Sequence, residues 1–125
     1  MAPNPQMRRM LDTSTEYVRC GVIPRKNGAV FDPTGDVVNI AFTQGTSPQS
    51  SDFNTAFWET EGPPYVASIL VGPANDGVVL ADGVWFIWVM IVDTNEVPIL
   101  PCGTLEIYSM TVAPTPEVQP EPGQD

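Results

Sequence analysis

Few residues of this 125-residue chain have the type and spacing for chemistry. Two carboxylate pairs lie close in sequence, Asp32 with Asp36 and Asp93 with Glu96. A pair of this kind is what glycoside hydrolysis needs, and oxygen-rich loops can gather calcium. All four acids sit in turn-forming sequence, where such side chains bond their own backbone. Asp32-x-x-x-Asp36 also lacks the alternating ligand spacing of a dedicated calcium loop. Histidine is absent, which removes histidine-based triads, Cys–His pairs and histidine-bearing zinc sites. With one lysine, Lys26, and two distant cysteines, neither Ser–Lys chemistry nor a four-cysteine metal site fits. The stretch from Val71 to Gly77 has neither the lysine nor the following helix of a phosphate cradle. The expectation is a protein that is not an enzyme, with no catalytic residue, no cofactor and no metal.

Two further groups of residues need weighing. Cys20 and Cys102 fall in what read as the first and last strands, which run side by side in many sandwiches, so a disulfide is geometrically conceivable. Met1 to Met10 carries no secretory signal, and the reading favours two free thiols. Trp85, Phe86 and Trp88 could form a sugar-stacking platform, but they lie in the most apolar run of the chain, Gly83 to Val92, and read as core. That run has about half the residues of a membrane-spanning helix. Being β-branched and aromatic, it reads as a strand buried on both faces, by the domain itself or by a neighbouring subunit.

The elements that must position these groups are strands. Fourteen prolines and ten glycines leave almost no window for an uninterrupted helix. Thr15 to Ile23 alternates, with Val18, Cys20 and Val22 inward, and Val37 to Thr43 does so with Val38, Ile40 and Phe42 inward. Asn27-Gly28 marks a tight hairpin turn, and Asp32 to Asp36 marks a second turn. Gln44 to Asp52 reads as an exposed loop. Further strands are expected over Phe53 to Glu59 (with Trp58 a core candidate), Tyr65 to Val71, Val78 to Leu80, Val84 to Val92, Val97 to Leu100 and Gly103 to Met110. Pro98 and Pro101 argue for an edge or a bulge. Short strands at this spacing predict an all-β, immunoglobulin-like antiparallel sandwich. The domain plan is an N-terminal arm over 1–13, a β-sandwich over 14–112 and an acidic proline-rich tail over 113–125, which has too little apolar surface to fold alone.

Charge sorts the partners. Arg8, Arg9, Arg19, Arg25 and Lys26 all fall within the first 26 positions, while the other 99 residues hold 13 acids and no base. Such a body repels phosphate backbones, so no specific nucleic-acid binding by the domain is expected, although adjacent arginines on an arm could touch DNA or an acidic neighbour. Met7, Arg8, Arg9, Met10 and Leu11 are the candidate partner-binding residues.

The order of pieces resembles a group of small virion proteins of actinobacterial tailed phages, from the capsid and head-to-tail connector region. The pieces are Thr15-Glu16-Tyr17-Val18, Asp32 to Asp36 followed by Val38 to Phe42, and Trp58-Glu59-Thr60. They continue with Tyr65-Val66-Ala67, Leu70 to Pro73, the Gly83 to Val92 strand with Trp88, Asn95 to Pro98 and Gly103-Thr104-Leu105. The resemblance covers about three quarters of the chain and implies a structural role in a virion assembled in the host cytoplasm. Partners would be capsid, portal or connector, or tail subunits, in a homo-oligomer or symmetric assembly and with no membrane. Capsid decoration is one such role. The alternative is an extracellular adhesion or carbohydrate-binding β-sandwich module, which an exposed aromatic platform would favour.

Overall fold

The computed structural model describes residues 7–59, 62–93 and 96–110. These fold into an all-β arrangement without an α-helix, in two facing sheets and a small hairpin. The three-stranded sheet contains β2 (Glu16–Val22), which pairs antiparallel with β8 (Tyr65–Val71), and β8 in turn pairs with β7 (Phe57–Trp58). In the five-stranded sheet, β1 (Met7–Leu11) lies beside β10 (Ile99–Tyr108), followed by β9 (Gly83–Val92), β5 (Val37–Thr43) and β6 (Phe53–Thr55). The hairpin of β3 (Arg25–Lys26) and β4 (Ala29–Val30) turns at Asn27 and Gly28. Both take positive φ, 52° and 82°, as an Asn-Gly hairpin turn requires.

Alternation decides which side chains meet between the sheets. Val18, Cys20 and Val22 from β2 face Val38, Ile40 and Phe42 from β5, with Ala67, Ile69 and Val71 beside them and Ile87, Val89 and Ile91 opposite. Leu105 and Ile107 of β10 and Met10 of β1 close the same core. Burying these apolar side chains is the main force holding the sheets together.

Four expectations need correction. Met7 to Leu11, assigned to an arm, form β1, which pairs in parallel with β10 from Met7 opposite Thr104 to Leu11 opposite Tyr108. The alternation was hidden because one inward residue of this strand is a cation, Arg8, while Met10 alone supplies an apolar inward side chain. The domain therefore begins before residue 14, and positions 1–6 of the arm lie outside the described residues, as does the tail over 113–125. Phe53 to Glu59 does not make one strand: the chain leaves β6 at Ala56, whose N–H bonds the Val38 carbonyl, and enters the other sheet as β7. Val78 makes only an isolated parallel bridge to Val71. Finally, the segments around Pro101 join into one strand, β10, whose register slips between Pro101 and Thr104. Pro101 thus marks a bulge at a point where β10 pairs with β9 alone, since β1 meets it only from Thr104 onward, and Pro98 lies just before the strand.

Candidate docking face and thiol pair

The strand β9 shows its sequence most plainly. Its odd-numbered residues Ile87, Val89 and Ile91 are fully buried, and Trp85 packs partly against the core. The even-numbered residues point the other way, onto the outer surface of the five-stranded sheet, which is covered in part: Ala41 and Thr43, the partners of Trp88 and Phe86 on that surface, are buried. Phe86 is 41% exposed there, with Val84 and Val92 similarly open and Trp88 and Met90 half-buried. Neighbouring strands extend the patch: Val37 pairs with Val92, and Ile99 pairs with Met90. Of the two expected covers for β9, the described domain supplies only part of one on the outer side, and Phe86 and Trp88, expected as core, lie outside it.

Local bonds hold this face in shape. Trp88 Nε1 donates to Thr43 Oγ1 at 2.9 Å, and Thr43 Oγ1 donates to the Thr46 carbonyl at 2.7 Å. The loop after β5 is thereby drawn against the aromatic pair, leaving a shallow hollow of about 350 Å³ lined by Gly45, Thr46, Ser47, Phe86 and Trp88. Trp85, on the inner side, spends its indole N–H on the Ala81 carbonyl.

The expected partner-binding residues divide between the two sides of β1. Met10 is buried in the core and cannot meet a partner, because its strand places it opposite Ile107. Arg9 faces outward, ion-paired with Glu106 at 2.9 Å and stacked over the Tyr108 ring at 4.3 Å. Leu11 is half-buried opposite Tyr108. Met7 sits opposite Thr104. Arg8 points inward at the open edge between the sheets, where Nη2 donates to the Arg19 carbonyl and Nη1 is buried without an acceptor.

Arg8 meets the two cysteines at that edge. They do not lie on neighbouring strands. Cys20 comes from β2 and Cys102 from the bulge of β10, so they approach from opposite sheets, and both are free thiols. The Cys20 thiol is pushed far up, first by its hydrogen bond to Cys102, then by burial and by the charge Cys102 would carry, while Arg8 opposes the rise. Cys102 moves the other way: the bond from Cys20 lowers it, burial resists, and the Arg8 guanidinium lowers it further. Cys20 is therefore the proton-holding donor and Cys102 the acceptor of the pair.

The carboxylates make no such constellation. Asp32 Oδ1 accepts from the Thr34 N–H and hydroxyl, which hold its carboxyl below the usual range, and the Asp36 N–H closes the turn on the Pro33 carbonyl. The Asp93 N–H bonds the Glu96 carbonyl in the turn after β9. Among the described residues no group of three or more His, Cys, Asp or Glu side chains is placed to hold a metal, and no helix is long and apolar enough to cross a membrane.

No protein-family model, no curated protein and no solved structure matches this chain.

Proposed function

We propose that this protein is a non-enzymatic virion subunit with an immunoglobulin-like fold, which packs the outer face of its five-stranded sheet against a neighbouring virion protein. The strand order supports the fold. β2, β8 and β7 take the places of strands B, E and D of an immunoglobulin domain, and β5, β9 and β10 those of C, F and G, with β6 extending that sheet. The observation that carries the function is the bare strip from Val84 to Val92 with Val37 and Ile99 beside it. A chain with net charge −10 keeps this strip free of charge, which suits a flat apolar protein surface and not a polyanion.

Size refines the partner. The strip runs about 30 Å along β9 and about 10 Å between its two flanking strands, on the order of 300 Å², well short of the roughly 800 Å² each partner gives to a stable interface. Further contact with the same neighbour is needed to make a stable interface. On the resemblance to phage virion proteins, the proposed neighbour is a capsid or head-to-tail connector protein.

The half-exposed Phe86 and Trp88 favour a second reading, a carbohydrate-binding module. The hollow beside them offers Thr46 and Ser47 hydroxyls but neither a carboxylate nor a side-chain amide, the groups that would fix sugar hydroxyls. This makes protein docking the better reading.

The test is size-exclusion chromatography with light scattering on the chain mixed with the capsid and connector proteins encoded beside it. Co-elution that Phe86→Lys with Val92→Lys abolishes, while the unfolding midpoint holds, supports the reading. A monomer that ignores those proteins overturns it, and retention on immobilised glycans would transfer the face to the second reading.

A further inference from the structure

The sandwich carries a second site at its open edge, away from the bare face. We propose that Cys20, Cys102 and Arg8 form a thiol-oxidation site, at which a small-molecule disulfide converts the two cysteines into a covalent link between the sheets. Three observations converge on it. The cysteines come from opposite sheets, β2 and β10, with their thiols hydrogen-bonded. Arg8 is fastened above them by its bond from Nη2 to the Arg19 carbonyl, one residue before Cys20. Its other terminal nitrogen, Nη1, is buried with no acceptor, a costly state for a charged donor. A thiolate at this edge would supply the acceptor that the guanidinium lacks.

The chemistry follows from which sulfur ionises. Of the two thiols, Cys102 is the one whose ionisation is favoured, by its bond from Cys20 and by Arg8, whereas the Cys20 thiol is pushed up. The Cys102 thiolate attacks one sulfur of glutathione disulfide, forming a mixed disulfide and releasing one glutathione thiolate. That thiolate takes the Cys20 proton, and the Cys20 sulfur then attacks the Cys102 sulfur and expels the second glutathione. Two protein thiols are oxidised and one small disulfide is reduced to two thiols. The link joins strand B to strand G, not to strand F, where the immunoglobulin disulfide lies.

Arg8 is a positioning residue, since it acts on the sulfurs through its charge. The fully reduced chain, treated with glutathione disulfide and mapped by peptide mass, should lose two hydrogens and yield a Cys20–Cys102 peptide with a raised thermal midpoint. Alkylation of Cys102 by iodoacetamide should show a pH profile that Arg8→Met moves upward and Arg8→Lys moves back. The proposal is overturned if the folded chain keeps both thiols while the urea-unfolded chain oxidises, if reaction stops at a glutathione adduct, or if only chain-to-chain links form. An alkylation profile unchanged in Arg8→Met removes Arg8 from the site.

Discussion

The two sheets treat their outer faces in opposite ways. On the three-stranded sheet, Tyr17 and Phe57 meet edge to face at 5.8 Å. Arg19 lies over the Tyr17 ring and reaches Glu59 at 2.8 Å. Arg19 and Glu59 set charge beside the aromatic pair, which nonetheless stays 47% and 45% exposed, as open as Phe86, while Ser68 beneath is fully buried. On the five-stranded sheet the same device appears only at the β1 edge, where Arg9 covers Tyr108 and pairs with Glu106. Its centre, from Phe86 to Val92, has no charged neighbour of this kind among the described residues: Phe86 and Val92 are exposed, and Trp88 and Met90 are half-buried. The two outer faces differ in the charge set beside their aromatics, not in how much aromatic surface they expose.

The largest effect should come from crossing β9 by a single residue. Ile87→Ala removes a fully buried side chain and should cost about 2–5 kcal/mol. Phe86→Ala, next in the chain and larger, removes a side chain standing in solvent and should cost less than about 1 kcal/mol. Urea unfolding of the two variants measures the contrast. Equal costs would mean that the outer face is packed in the isolated protein.

Charging the bare face should come next. Phe86→Lys with Val84→Lys should lower the binding of a hydrophobic dye several-fold at an unchanged unfolding midpoint. Arg19→Ala should raise it, by removing the charge beside Tyr17 and Phe57. Dye binding that answers to neither change would remove the difference between the faces.

Much of the framework was legible because alternation is a local signal. Val18, Cys20 and Val22 and the set Val38, Ile40 and Phe42 point inward as their spacing demands, and Asn27-Gly28 turns where its conformational freedom allows. The site was harder to read. A run such as Val84 to Val92 is apolar on both faces whether both are covered or one awaits a partner, so its composition could not tell core from docking surface. β1 was missed because Arg8 occupies an inward position, and an arginine is tolerated there only since it lies at the edge beside two sulfurs. The meeting of Cys20 and Cys102 depends on a bulge in β10 and on sheets facing each other, neither of which sequence spacing encodes. The change of sheet at Ala56 left no signal beyond a small residue between two aromatics.

The indole bonds offer a finer comparison on the bare face itself. Trp88→Phe keeps most of the ring but removes the donor to Thr43 Oγ1, and should cost about 1 kcal/mol. Because that hydroxyl also holds the Thr46 carbonyl, the loop at Gly45 and Thr46 should exchange its amide hydrogens faster. Trp85→Phe should cost a similar amount without touching the loop, since its partner is the Ala81 carbonyl. Native-state hydrogen exchange separates the two, and equal protection of the loop in both variants would detach it from the docking face.

The smallest effect should be electrostatic and confined to the face that carries Arg19 and Glu59. Glu59 is held below the usual carboxylate range chiefly by the hydrogen bond from Arg19, with a smaller contribution from Ser68. A carboxylate depressed in the folded state adds stability above its unfolded value and loses it as the pH falls through the folded one. Arg19→Met should therefore raise the Glu59 midpoint toward its ordinary value, as read by carboxyl-carbon NMR, and flatten the pH dependence of unfolding in that acidic window. Since both partners meet water, the change in stability at neutral pH should be slight. A Glu59 titration that does not move in Arg19→Met would mean that the arginine does not lie across this face in solution. Tyr17 and Phe57, already exposed, would then lack a charged neighbour as Phe86 does, and the contrast between the two sheets would be lost.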